Sequence, residues 1–256
     1  MAPPSPASLR ETYARDGFHV APSLIDPALI TAAVGEADAL VDDAVLIDRK
    51  NLRVRWTRHL DTDAPLFELF DPIVDLSPAC KAIAESPALL DALRAVLGDE
   101  PVLVKDKLIF KPPGTVGYPL HQDFIAWPGF PEGFTTALIA LDAAGPDSGP
   151  VEVFRGAHAR GCLAERDGSF HMLHEDTVAG FERVPLHLQP GDVAIFGGFM
   201  PHRSAPNRSA QFRRHMLISY APASDPGEPR AAHYRRFHHY LRAVYGSMGL
   251  ANLHFR

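Results

Sequence analysis

His121 and Asp123 stand two residues apart in Leu120-His121-Gln122-Asp123. On an extended strand, alternate side chains share a face. The imidazole and the carboxylate therefore point the same way, and Gln122 points opposite. Two such groups can hold adjacent positions on one metal ion, and a third ligand must come from elsewhere in the chain. His202, in Met200-Pro201-His202-Arg203-Ser204, follows a predicted strand and is the candidate. Two histidines and a carboxylate on one face of an octahedron leave three positions open, a donor set suited to iron(II) and dioxygen chemistry. Two of those positions can accept a chelating 2-oxo acid. Zinc would prefer a tetrahedral site with one open position and fits the same ligands less well. In a chain with 13 histidines a lone His-x-Asp also arises by chance, so the surrounding elements must support the assignment.

Those elements change character along the chain. Helical patterns are expected at Leu9–Asp16, at Pro27–Val41 with Asp26 as N-cap, and at Pro87–Leu97 with Gly98 as its stop. A short strand, Phe18-His19-Val20, lies between the first two. From Val102 onward strands dominate. Along Val102–Lys111, Val102, Val104, Leu108 and Phe110 share one face with Asp106 as the exception, while Leu103, Lys105, Lys107, Ile109 and Lys111 share the other. Further strands are predicted at Thr135–Leu141, Val151–Phe154, Val184–Leu188, Asp192–Phe196 and Phe212–Tyr220, separated by the turn clusters KPPG, GPDSGP, QPGD and APNRS. Many short strands broken by turns imply a sandwich or barrel. Ala232–Val244 reads as a closing helix. With no repeat or linker in view, residues 1–256 are expected to form one domain. Its parts would be a helical portion over about 1–100, a β core over about 101–222 and a C-terminal helix over about 230–246.

A chain of 256 residues can bury a full core. Its net charge of -6 argues against nucleic-acid binding, which calls for a basic face. Cys80 and Cys162 are far apart, which excludes a thiolate zinc cluster and a disulfide framework. No apolar run has the length of a signal peptide or a membrane span. The expectation is a cytoplasmic protein, monomeric or homodimeric, with a small-molecule partner and neither nucleic acid nor membrane.

With these motifs in place, the sequence resembles the phytanoyl-CoA dioxygenase-like branch of the iron(II)/2-oxoglutarate oxygenases. The resemblance runs from about Tyr13 to Tyr220. Tyr13-Ala14-Arg15-Asp16-Gly17-Phe18 is similar to the family's entry segment, and Phe110-Lys111-Pro112-Pro113 ahead of Leu120-His121-Gln122-Asp123 to its central motif. Ser148-Gly149-Pro150-Val151-Glu152-Val153 with Arg155-Gly156-Ala157-His158 resembles its hairpin, although Arg155 stands where proline is usual. Gln189-Pro190-Gly191-Asp192-Val193 leads to His202, Asn207 and Arg213 at the family's spacing.

The resemblance implies a double-stranded β-helix, a cupin-like jelly roll with helices packed outside, and iron(II) held by His121, Asp123 and His202. It implies that Arg213 grips the distal carboxylate of 2-oxoglutarate, a role suited to a planar guanidinium fork. Arg214 would face the other way. Ser204 and Lys107 match positions that contact the cosubstrate, and Lys107 is also open to a substrate role. Phe124, Trp127 and Lys105 are candidates for the substrate wall. Arg53, Arg55 and Arg58 fall in a segment that would form a lid, and His171 and His174 in a loop over the site. An intact Asp123 favours hydroxylation, desaturation, cyclisation or demethylation over chlorination, because related halogenases replace that carboxylate with a small residue. The expected activity is oxidation of a C–H bond of a small molecule, in specialised metabolism, with 2-oxoglutarate and dioxygen. Two rivals remain: a cupin-like metal enzyme that uses no 2-oxo acid, and a non-catalytic ligand-binding barrel.

Overall fold

The computed structural model describes residues 6–123, 129, 131–165, 167 and 170–256. Two antiparallel sheets face each other. The larger has the order β1-β9-β6-β11-β4-β3-β2 and the smaller β5-β10-β7-β8. Here β1 is Phe18–Ala21, β2 Val54–Arg58, β3 Pro65–Phe70, β4 Pro101–Ile109, β5 Tyr118–His121, β6 Thr135–Ala140, β7 Val151–Phe154, β8 Arg183–Pro185, β9 Val193–Gly197, β10 His202–Ser204 and β11 His215–Pro222. From β4 onward the chain crosses repeatedly between the sheets, so that β4, β6, β9 and β11 build one and β5, β7, β8 and β10 the other. This is the double-stranded β-helix.

Alternation along the strands decides what each face does. Ala137, Ile139, Val193, Ile195, Met216 and Ile218 lie in the core shared with the helices. Their neighbours Leu138, Ala140, Ala194, Phe196 and Leu217 pack with Val151 and Val153 of the smaller sheet. Each valine, leucine, isoleucine, phenylalanine or methionine among them contributes roughly 1.5–3 kcal/mol on full burial. The outer face is covered by α1 (Pro6–Asp16), α2 (Pro27–Val41), α3 (Pro78–Ala84) and α4 (Pro87–Leu97). Proline opens α2, α3 and α4, where its missing N–H costs nothing. Asp26 caps α2 by accepting from Ala28 N at 2.7 Å, and Gly98 ends α4 at φ +70°. The last helix, α5 (Arg230–Ser247), packs against β4. Among the described residues no helix is long and apolar enough to cross a membrane.

Several sequence expectations shift. The first hundred residues are not only helical: they give β1, β2 and β3 to the larger sheet. Arg55 and Arg58 lie on β2 at its edge, and Arg53, just before β2, is buried against Pro72 O at 3.0 Å, so this segment is a strand of the sheet and not a lid. β8 stops at Pro185 instead of running to Leu188, where proline removes a ladder donor. β4 ends at Ile109, and Lys111 adopts φ +42°. The exception in the β4 pattern, Asp106, is fully buried and accepts from Ile73 N at 2.6 Å and Val74 N at 2.9 Å.

Candidate metal centre and cosubstrate cavity

His121 ends β5 and His202 opens β10, and the two are direct cross-strand partners. Their rings lie 4.2 Å apart between centroids. Asp123 follows just beyond β5, with Oδ1 at 3.8 Å from His121 Nε2 and 4.0 Å from His202 Nε2. One ligand atom from each of the three lies within 4.8 Å of the others, close enough to share one ion.

Protonation is fixed by the backbone. His121 Nδ1 sits 2.8 Å from Pro119 O, and His202 Nδ1 sits 3.0 Å from Met200 O. A carbonyl only accepts, so each Nδ1 carries the proton and each Nε2 offers its lone pair toward Asp123. Burial, reinforced by His202, lowers the His121 pKa to about 3, which keeps the ring neutral and ready to ligate. Burial opposes ionisation of Asp123, but His202 and Lys107 outweigh it and hold its pKa low. Gln122 points away. Its amide donates to Gly161 O at 2.9 Å and Phe199 O at 2.6 Å and accepts from Leu163 N at 2.8 Å, which anchors the ligand strand.

Beside the triad, Arg213, Lys111, Lys107, Ser204, Glu68 and Tyr118 help line one cavity. Arg213 lies just before β11, buried, and burial lowers its pKa to about 10. Its Nη1 is 2.6 Å from His215 Nδ1. A guanidinium only donates, so His215 accepts there and must carry its proton on Nε2. Among the described residues neither Arg213 Nε nor His215 Nε2 has a partner. Two buried donors left over in this way call for an acceptor-rich anion. Arg214 turns outward and grips Asp142 with Nε at 2.7 Å and Nη2 at 2.9 Å.

Lys111 Nζ reaches Ser204 Oγ at 2.8 Å and Gly149 O at 3.2 Å, and also meets Ala205 O. Burial, followed by the repulsion of Arg213, drops its pKa to about 6. The Lys111 nitrogen donates to both carbonyls and to the Ser204 oxygen. Asn207, at the family spacing, organises the turn: its amide donates to Lys111 O at 2.9 Å and Gln211 O at 2.8 Å.

The remaining candidates divide. Lys107 lines both this cavity and a recess containing Asp123, Thr136 and Ser219. Lys105 also borders the recess, but its ammonium is committed to Asp71 at 2.6 and 2.8 Å. Phe124 and Trp127 lie outside the described residues. Of the expected covering loop, the Phe170 ring lies tilted 5.3 Å from that of His121, His171 pairs with Asp167 at 2.8 Å, and His174 is exposed. Arg155, at the position where proline is usual, bonds Asp16 and Glu182 and covers the Phe18 ring, tying the entry segment to the turn after β7. Sequence reasoning missed Glu68, Tyr118 and His215. His215 was within reach, since it lies two residues after Arg213 and so shares its face. Glu68 carried no spacing signal at all.

Comparisons with known proteins agree with this architecture. EctD from S. alaskensis, solved with 2-oxoglutarate and 5-hydroxyectoine, superposes with a TM-score of 0.73 at 21% identity, covering 88% of this chain and 80% of that one. The epimerase SnoN, in complex with Fe3+, alpha ketoglutarate and nogalamycin RO, gives a TM-score of 0.72 at 20% identity over 86% and 85%. At this identity the likeness establishes the fold. The family model for phytanoyl-CoA dioxygenase matches residues 13–215, and the chain belongs to that family. Among curated relatives, the methylphosphonate hydroxylase of Gimesia maris is 35% identical over 145 residues, 56% of this chain and 54% of that protein. A 2-aminoethylphosphonate dioxygenase from an uncultured bacterium is 27% identical over 187 residues, 71% and 70% respectively. The match thus spans about half the length of the first of these relatives and about two thirds of the second.

Proposed function

We propose that this protein is an iron(II)/2-oxoglutarate-dependent oxygenase that oxidises a C–H bond of a small molecule, with residues 1–256 acting as one oxygenase domain. The carrying observation is the pairing of a buried His121–Asp123–His202 cluster with Arg213, whose Nε is a buried, unspent donor in the same cavity.

The residues fit both groups. Two neutral imidazoles and a carboxylate suit iron(II), which with 2-oxoglutarate and dioxygen supplies the oxidising power for C–H cleavage. The protein's own work is placement. Pro119 O and Met200 O orient the two imidazoles. Arg213 holds the distal carboxylate of the cosubstrate, and the Ser204 hydroxyl, which accepts from Lys111, keeps its own hydrogen to donate to that carboxylate. Phe170 and Tyr118 flank His121 and limit water on that side. Asp123 fills the position that a halide would need, so oxygenation is favoured over chlorination. The names of the relatives support small oxidisable substrates, phosphonates among them.

The test is anaerobic titration of iron(II) and 2-oxoglutarate, followed by a screen for substrate-dependent succinate. A weak visible charge-transfer band and iron-dependent succinate are expected. Bound iron without that band in folded protein would favour a metal enzyme of the same fold that uses no 2-oxo acid.

A further inference from the structure

The interior face of the larger sheet carries three cross-strand rows. Lys105, Ser219 and Thr136 form one, Lys107, Leu217 and Leu138 the next, and Ile109, His215 and Ala140 the third. Arg213 and Lys111 lie beyond the third row. The polar row at the opposite end, with Lys107 beside it, borders the recess that contains Asp123.

Resting on the oxygenase reading above, we propose that this recess is a substrate anion subsite, in which Lys107 receives a carboxylate or phosphonate head of the substrate and the Thr136 and Ser219 hydroxyls complete the cradle. Three observations carry it. First, among the described residues the Lys107 ammonium makes no hydrogen bond or ion pair, although it lies within the field of Asp123 and His121. Second, Thr136 Oγ1 and Ser219 Oγ are 3.1 Å apart and bond only each other. Two hydroxyls hold two protons, and their mutual bond uses one, so one O–H remains to donate.

Third, the charges leave Lys107 over. The two positive charges of iron(II) and the one of Arg213 are balanced by Asp123 and the two carboxylates of 2-oxoglutarate. Asp71 is committed to Lys105, and Glu68, the further carboxyl in the field of Lys107, is pushed by burial toward its neutral form. With a neutral substrate, Lys107 has neighbouring carboxyls in its field but no ion-pair partner among the described residues, and an anionic head would supply one.

The experiment uses the full chain loaded anaerobically with iron(II) and 2-oxoglutarate. Methylphosphonate, acetate and neutral acetamide are titrated by calorimetry, and 2-oxoglutarate affinity and iron content are measured on the same samples. At least one anion binds and acetamide does not, and which anion binds distinguishes a phosphonate from a carboxylate head. Lys107→Gln weakens that anion tenfold or more and leaves iron and 2-oxoglutarate binding within twofold, while Lys107→Arg keeps most of the affinity. The proposal is overturned if neither anion binds, if Lys107→Gln leaves the anion unchanged, or if that variant weakens 2-oxoglutarate instead. Failure of the oxygenase reading is seen separately, as wild-type protein that takes up no iron or 2-oxoglutarate before any anion is added.

Discussion

Arg213 and Lys105 are both buried cations of the larger sheet, Arg213 just before β11 and Lys105 midway along β4. At Lys105 the charge is answered from within. Asp71 takes the ammonium with both oxygens, its pKa held low by Lys105 against the opposing pull of burial, and Tyr234 donates to the same carboxylate at 2.9 Å. At Arg213 no carboxylate pairs with the guanidinium. A histidine accepts one of its N–H groups, a depressed lysine stands near, and buried donors are left over. The first arrangement is complete as folded. The second leaves buried donors without acceptors among the described residues, and on the reading proposed above an anion from outside would meet them.

The change with the largest expected effect removes the chemistry that either cation serves. Asp123→Ala takes one of three ligands and should abolish both stoichiometric iron and turnover, read by metal analysis and succinate release. Wild-type iron content and activity in Asp123→Ala, His121→Ala and His202→Ala would dismantle the site.

Next comes Arg213. Arg213→Ala should cost about 3–5 kcal/mol of 2-oxoglutarate binding, or on the order of a hundredfold or more in Kd, by stranding a buried carboxylate. Iron binding should hold. Arg213→Lys should recover part of the loss, because the charge is kept but the fork is not. Arg214→Ala, which loses only Asp142 and Asp38, should leave Kd nearly unchanged. Equal losses from the Arg213 and Arg214 variants would erase the distinction.

The Lys105 pair should respond in stability. Asp71→Ala leaves a buried ammonium unpaired and should cost about 3–5 kcal/mol in urea unfolding. Adding Lys105→Met should restore much of that, as a double-mutant cycle would record. Full additivity of the two changes would mean that the pair is not coupled.

The most gradual effect is a pH slope, at most about 1.4 kcal/mol per pH unit. Lys111 has a folded pKa of about 6, below its ordinary value of 10.5. Between these values the unfolded chain binds more protons, so stability without ligands should rise as pH climbs from about 6 towards 10. Below about pH 6 both states are protonated and the slope vanishes. Lys111→Met should flatten this rise in unfolding free energy measured across pH, and an unchanged slope would assign it to other groups.

Much of this was legible because local chemistry decided it. Pro27 after Asp26 and Gly98 after Leu97 set helix ends by capping, and tertiary packing does not override them. His121, Asp123 and His202 were legible as ligand types, and the cross-strand pairing of β5 with β10 supplies what spacing alone could not. β2 and β3 were invisible for a physical reason. Val54–Arg58 is an edge strand that interleaves arginines with apolar residues, and Pro65–Phe70 carries apolar residues on both faces with Glu68 as its single polar one, so β3 shows no alternation. Lys111 was read as part of the β4 lysine face, but its φ of +42° turns it out of the strand and toward Ser204, a backbone event that alternation cannot register.

The C-terminal helix does more than cover β4. β3 pairs with β4 only at Ile109 and Leu108, so the edge of β4 toward Pro101 has no strand beside it. There the Tyr234 hydroxyl meets both main-chain groups of Asp106, accepting from its N–H at 3.0 Å and lying 2.8 Å from its carbonyl oxygen. An uncovered strand edge is a template for another chain. Tyr234 occupies that template at Asp106 with one phenol, and the helix that carries it packs over β4 where a further strand would otherwise add.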